Sequence, residues 1–259
     1  MRNPDRMTVD PRAASGFAGT AGAYERGRPS YPEEAIECIT RELQLGAQSA
    51  VLDLAAGTGK LTRLLVPRIG RVWAVDQSES MLAELRDQLP GVDARLGTGE
   101  RIPLDDGAVD AVFIAEAFHW FRVTEACREI ARVLAPGGAV VLVWNRPHWS
   151  DEDLPWLDDF RTLVEPHRAA AGELPAGGDE WRRPFDESRL FSERSSAMFE
   201  NVQTLAPDAF VALVASWSWV ANLQDEARNE VLTQVRGLVG GEARLTLRYE
   251  TEVQWARRR

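Results

Sequence analysis

The chain has 259 residues, of which 44% are hydrophobic and 27% charged, a balance that suits one α/β domain, or a core domain carrying a small cap. The formal net charge is −10 and no basic stripe precedes Arg257-Arg258-Arg259, so nucleic acid is not an expected partner and the closing arginines read as a solvated tail. The lone cysteines Cys38 and Cys127 argue against a disulfide framework or a metal cluster, residues 1–6 lack the apolar core of a secretion signal, and no apolar run is long enough to span a bilayer, so reduced thiols and a cytoplasmic location are expected, with no membrane partner.

Residues 1–15 are polar and carry proline and arginine, the pattern of a disordered tail. A glycine-rich stretch with two tyrosines follows, and Pro32 with Glu33 and Glu34 then opens a helix whose apolar side is Ile36, Ile39 and Leu43. Ala50-Val51-Leu52-Asp53-Leu54 is a short apolar run ending in glycines, which predicts a buried strand. The expected sequel is a helix over 60–69, a strand over 71–75 ending at Asp76, a helix over 78–89 capped by Ser78, a strand over 92–96, a strand over 109–115 and a helix over 125–134 stopped by Pro136-Gly137-Gly138. A strand over 139–144 leads into a Trp-, Pro- and acid-rich insertion around 146–190, read as a small helical cap over the site. Beyond it the pattern predicts an extended piece over 192–205, helices over 207–219 and 224–238, and an alternating strand over 245–255 that pairs antiparallel with the earlier one at the sheet edge. Strands alternating with helices imply a Rossmann-like, doubly wound α/β sheet, mostly parallel, with ligands bound outside the carboxyl ends of the strands.

The turn after the first strand, Asp53-Leu54-Ala55-Ala56-Gly57-Thr58-Gly59, places bare backbone before a helix N-terminus. A dinucleotide fingerprint would need glycine where Thr62 stands. A phosphate-binding P-loop would need Ser or Thr at Leu61 and glycine at Leu54, so that reading fails twice.

Residues 51–62 instead resemble motif I of class I S-adenosylmethionine (SAM)-dependent methyltransferases. Three further stretches match that family in order: Val75-Asp76-Gln77-Ser78-Glu79-Ser80-Met81-Leu82, Gly97-Thr98-Gly99-Glu100-Arg101-Ile102-Pro103-Leu104, and Glu129 to Gly138. The resemblance implies SAM as cofactor. It sets Ala55, Gly57, Thr58 and Gly59 in the cofactor turn, Asp53 near the methionine amino group (or as a turn-forming Asp), and Asp76 on both ribose hydroxyls. Gln77 and Met81 would flank the adenine, Thr98, Gly99 and Glu100 would meet its edge, and Ala115 and Glu116 would follow strand four. Phe118-His119-Trp120-Phe121 and Tyr24-Glu25-Arg26-Gly27-Arg28-Pro29-Ser30-Tyr31-Pro32 resemble the type 11 branch that includes trans-aconitate methyltransferase-like proteins.

In that frame the N-terminal segment folds over the site. Tyr24 lies on the cofactor, Tyr31 on the acceptor, and Arg28 holds the SAM carboxylate or stays a solvated loop residue. His119 stands where the acceptor nucleophile would approach the methyl group, as general base or as a plain hydrogen-bonding group beside the cofactor. Phe118, Trp120, Trp144 and Trp149 are candidates for an apolar acceptor pocket, with core packing as the competing role of each tryptophan. No His/Cys/Asp cluster has metal-ligand spacing, so no metal is expected. Methyl transfer to an O, N or C nucleophile on a small molecule is the expected activity, by a monomer or homodimer. SAM cyclisation, aminocarboxypropyl transfer and non-catalytic SAM binding are the alternatives.

Overall fold

In the computed structural model, residues 21–150, 152–170 and 179–259 are described. The expected N-terminal tail lies outside them. Five strands pair in parallel, and all but the third, which is partly exposed, are buried on both faces over most of their length. These are β1 (Ala50–Leu54), β2 (Arg71–Asp76), β3 (Asp93–Leu96), β4 (Val109–Ala115) and β5 (Leu134–Pro147). Two further strands, β6 (Ser195–Leu205) and β7 (Leu245–Arg257), alternate more and less exposed positions and close the sheet antiparallel. The strand order is β3-β2-β1-β4-β5-β7-β6. Chain order reverses between β1 and β4, so β1, β2 and β4 end around a common crevice. The doubly wound α/β expectation therefore holds, antiparallel edge included.

The helices are α1 (Ala21–Gly27), α2 (Glu33–Glu42), α3 (Thr62–Leu65), α4 (Glu79–Gln88) and α5 (Val123–Val133), then α6 (Leu157–Ala170), α7 (Arg182–Glu187), α8 (Pro207–Ala215), α9 (Ser218–Ala221) and α10 (Asp225–Val239). Ser78 caps α4, its hydroxyl accepting the Met81 N–H at 3.4 Å. The helix expected over 60–69 is shorter: Pro67, lacking an N–H, follows α3 closely, and only single turns continue to Ile69. The helix expected over 207–219 breaks at Ser216-Trp217. Trp217 turns extended there, and the Ser216 hydroxyl donates to the Leu213 carbonyl at 2.6 Å, competing with the backbone ladder. The strand expected over 139–144 runs on to Pro147 because β7 continues to pair with it, the last pair being Pro147 with Tyr249.

Three buried clusters hold the fold. One lies under α5 and takes in Phe118, Trp144, Trp181 and Phe185; a second, under α2, includes Ile36, Ile39, Phe113 and Val141. The third is the core of the covering layer, where Phe210 of α8 meets Trp156 and Phe160, with Val231 and Val235 of α10 and Leu247 of β7 around them. The covering layer thus draws on α6 and on helices from the C-terminal third together, whereas residues 181–191 of the insertion return to the main core.

Candidate active site

Backbone conformation marks the carboxyl ends of the strands. The turn after β1 runs through positive φ at Ala55 (61°), Gly57 (56°) and Gly59 (87°), and Glu116, just past β4, also has φ 56°. A left-handed conformation comes free to glycine but costs Ala55 and Glu116 on the order of 1–2 kcal/mol each. Such cost is retained where geometry serves a site, and both residues border the same cavity. Gly59 has a second reason: a Cβ there would stand 3.0 Å from the Leu85 side chain of α4.

That first cavity encloses about 790 Å³, counting its open mouth. Its walls are Gln77 and Met81, the Thr98–Glu100 loop and the ring of Phe121, Asp76 with Ala55 and Gly57, and Ala115, Glu116 and Trp120 with Tyr24 of α1. Asp76 is 9% exposed and its two oxygens are organised separately. Oδ2 accepts the Gly57 N–H at 2.9 Å and Oδ1 the Ser78 N–H at 2.8 Å, so the carboxylate ties the glycine turn to the α4 N-terminus. Burial raises its pKa, against the Ser78, Gly57 and Gln77 amides, which hold it down. The Glu100 carboxylate accepts the Arg122 N–H at 2.8 Å, holding the loop after β3 against the start of α5.

A second cavity of about 510 Å³ adjoins the first, with Tyr24 and Glu116 shared by both walls. Arg28 and Tyr31 come to it from the N-terminal segment, Asn145 and Trp149 from the end of β5 and beyond, and Trp217 and Tyr249 from the covering layer. Glu116 accepts the Asn145 N–H and its pKa is raised by burial, with Arg28 and Arg146 opposing.

Some expected site residues lie elsewhere. Arg28 does not reach the first cavity. Its Nε donates to Ser216 Oγ at 2.8 Å and Nη2 to the Ser216 carbonyl at 3.0 Å, which holds the guanidinium on the second. Phe118 and Trp144 were expected against an acceptor but pack inward: Phe118 is fully buried against Phe121, Trp181 and Phe185, and Trp144 stacks on Trp181. Neither borders the two cavities. His119, too, is off both walls, its ring wedged between Trp120 at 5.0 Å and Trp144 at 5.4 Å. Burial, then the Arg28 charge, pushes its pKa down to about 4, so the imidazole is neutral near pH 7. Thr58 and Gly59 are buried behind the turn, where the Thr58 hydroxyl donates to Glu25 Oε2 at 2.6 Å.

Asp53 sits beneath the turn, 1% exposed, and like His119 borders neither cavity. Its Oδ2 accepts from the Thr62 hydroxyl at 2.6 Å, while Oδ1 is buried with no partner, and burial pushes its pKa up to about 7. Glu25 is a residue that sequence reasoning passed over. Its carboxylate gathers Thr58, Lys60 and Arg63, and so docks α1 on the glycine turn. Asn145 was missed as well: it lies just past Trp144, the expected end of its strand, in the part of β5 that pairing with β7 extends; Tyr249 is a β7 residue with no local signal. Among the described residues no group of three or more His, Cys, Asp or Glu could hold a metal ion, and no helix is long and apolar enough to cross a membrane.

Comparison with known proteins agrees with this geometry. The methyltransferase domain model matches residues 52–142, which span β1 to β5 and most of the first cavity. An uncharacterized methyltransferase of Mycobacterium tuberculosis (strain ATCC 25618 / H37Rv) is 42% identical over 234 residues, 90% of this chain and 89% of that protein. The chain belongs to the methyltransferase family. An uncharacterized methyltransferase of Schizosaccharomyces pombe is 31% identical over 217 residues, 83% of this chain and 84% of its own length. Among solved structures, YcgJ of Bacillus subtilis superposes with a TM-score of 0.56 at 19% identity over 88% of this chain and 99% of its own, a likeness of fold.

Proposed function

We propose that this methyltransferase takes its methyl group from SAM in the first cavity and passes it to an O, N or C nucleophile on a small molecule in the second. The observation that carries this reading is Asp76. A buried carboxylate lines the cavity, each oxygen already holding one backbone amide and each retaining capacity for a ribose hydroxyl. The residues fit the cofactor at both ends as well. Met81 offers an apolar face for a base, with the Gln77 amide beside it and the Thr98–Glu100 loop on the same cavity. Asp53 lies below the turn and off the cavity wall, and its buried oxygen has no partner; we assign that oxygen to the amino group of the methionine end.

When bound, SAM supplies a methyl group on a sulfonium that departs as a neutral thioether. The chain binds and orients: the glycine turn and Asp76 fix the cofactor, Tyr24 covers it, and Glu116 faces both cavities where the two ligands meet. Proximity and alignment of this kind account for much of the acceleration of a bimolecular transfer. Glu116, on the shared wall, is better placed than His119 to receive a proton from an acceptor. The Tyr24–Pro32 and Phe118–Phe121 stretches support a place beside the trans-aconitate methyltransferase-like members of the family.

Calorimetry with SAM and S-adenosylhomocysteine (SAH) tests the reading. Saturable binding of both is expected, and SAH as the nucleoside product of turnover. Failure to bind either, or methylthioadenosine as product, overturns it.

A further inference from the structure

The second cavity has a chemical character of its own. Its walls are stiff and flat. The indoles of Trp149 and Trp217 stack with centroids 6.4 Å apart at 29°, and Tyr249 meets Trp149 edge-on at 6.0 Å. Behind them stands the packed core of the covering layer, so these rings have little room to move. Into this aromatic enclosure comes one permanent cation, Arg28.

Arg28 is oriented without being neutralised. The Ser216 carbonyl and hydroxyl take two of the five N–H donors of the guanidinium, and its carbon lies 5.5 Å from the Tyr24 ring centroid. Three donors remain, and no carboxylate pairs with the group among the described residues. Most arginines here with comparable cover do have an acid: Arg68 has Glu33 and Glu37, Arg132 has Asp106 and Glu129, and Arg194 has Asp186. A partly buried guanidinium held in place but left unpaired is a preformed receptor for a planar anion, which two parallel N–H groups bind bidentately. The carboxyl group in the same cavity, Glu116, lies on the wall shared with the cofactor cavity; it accepts the Asn145 N–H and feels the charge of Arg28 without forming an ion pair with it.

We propose that the second cavity is the acceptor site and that it selects small, flat molecules bearing a carboxylate, which Arg28 grips, leaving the far end of the molecule facing Glu116 and the cofactor cavity. The assignment rests on the cofactor reading above. Arg28 is thereby a specificity residue of the acceptor site rather than a ligand of the cofactor.

Benzoate and benzamide are matched probes of the same shape, differing in charge. Each is titrated into the full chain loaded with SAH, and binding is read by calorimetry and by the fluorescence of Trp149 and Trp217. The expected result is saturable benzoate binding at least tenfold tighter than benzamide. In Arg28→Gln that preference disappears while SAH affinity stays within about twofold. Arg28→Lys, which keeps the charge but not the fork, retains a reduced preference, and it serves as the second variant if the glutamine form does not fold. Equal affinity for the two probes in the wild type, a preference that survives Arg28→Gln, or no binding of either probe to protein that holds SAH would each overturn the proposal. If benzoate binds with the same Arg28 dependence but SAH does not bind at all, the cofactor reading fails and the anion pocket stands alone.

Discussion

Replacing Asp76 with alanine separates the cofactor reading from any merely structural role of this carboxylate. Its Oδ1 and Oδ2 accept one backbone amide each, from Ser78 and Gly57, at 2.8 and 2.9 Å. A carboxylate has about four acceptor positions, so one per oxygen is left for a ribose hydroxyl. Hydrogen bonds to a charged group contribute roughly 1.5–3 kcal/mol each, so losing two weakens SAM and SAH by about 3–6 kcal/mol, or roughly 10²- to 10⁴-fold. The two orphaned amides border an open cavity and regain water in part, so the stability loss is expected at the low end of about 1–3 kcal/mol. Calorimetry with SAH gives the first quantity and thermal unfolding the second. A 2′,3′-dideoxy analogue of SAH completes a double-mutant cycle: it binds the wild type weakly, and Asp76→Ala weakens it little further. If Asp76→Ala holds SAH within threefold of the wild type, or weakens the dideoxy analogue just as much, the ribose contact is refuted.

Asp53 makes stability depend on pH. Its pKa of about 7 in the folded protein lies above the unfolded value of about 3.9, so between these values the folded state holds more protons and stability falls as pH rises, by on the order of 4 kcal/mol in all. Asp53→Asn should remove that slope in chemical denaturation between pH 4 and 7.5, and an unchanged slope would refute the assignment. A cofactor ammonium beside Asp53 favours the charged form, so SAM binding at pH 6 should release protons, seen as a buffer-dependent binding enthalpy. Gly99→Ala would set a Cβ 2.8 Å from the Phe121 ring and drive that ring toward the first cavity; SAH affinity is expected to fall by about 1–3 kcal/mol, and unchanged affinity would show that the ring yields elsewhere. His119, with its pKa near 4, should contribute no limb to a pH–rate profile between 5.5 and 8.5, and a limb near 6.5 that vanishes in His119→Gln would restore it as the base.

Local sequence carried the strands and the cofactor side of the site a long way. A strand buried on both faces must be continuously apolar, a tight turn needs glycine, and a helix start favours a side-chain cap, so β1, β4, the turn at Gly57 and Gly59, and Ser78 were legible from neighbours in the chain. Asp76 ends its strand, Gln77, Met81 and the Thr98–Glu100 loop come within a few residues of strand ends, and parallel pairing brings such ends together whatever the details of packing. The acceptor side was decided otherwise. Arg28 looked available to the cofactor until Ser216, 188 residues away, fixed its guanidinium on the second cavity. Phe118 and Trp144 carry the side chains of a binding pocket, yet Trp181 and Phe185, from the far side of the insertion, close over them and make them core. His119 has the ordinary chemistry of a base until burial between two indoles lowers its pKa. Asn145, Trp217 and Tyr249 share one wall only because β5, the break after α8, and β7 meet there. A backbone turn is specified within a few residues, whereas the charge, exposure and direction of a side chain depend on whatever packs against it. The cofactor turn was therefore legible in the chain, and the acceptor pocket came into being only when distant segments closed over it.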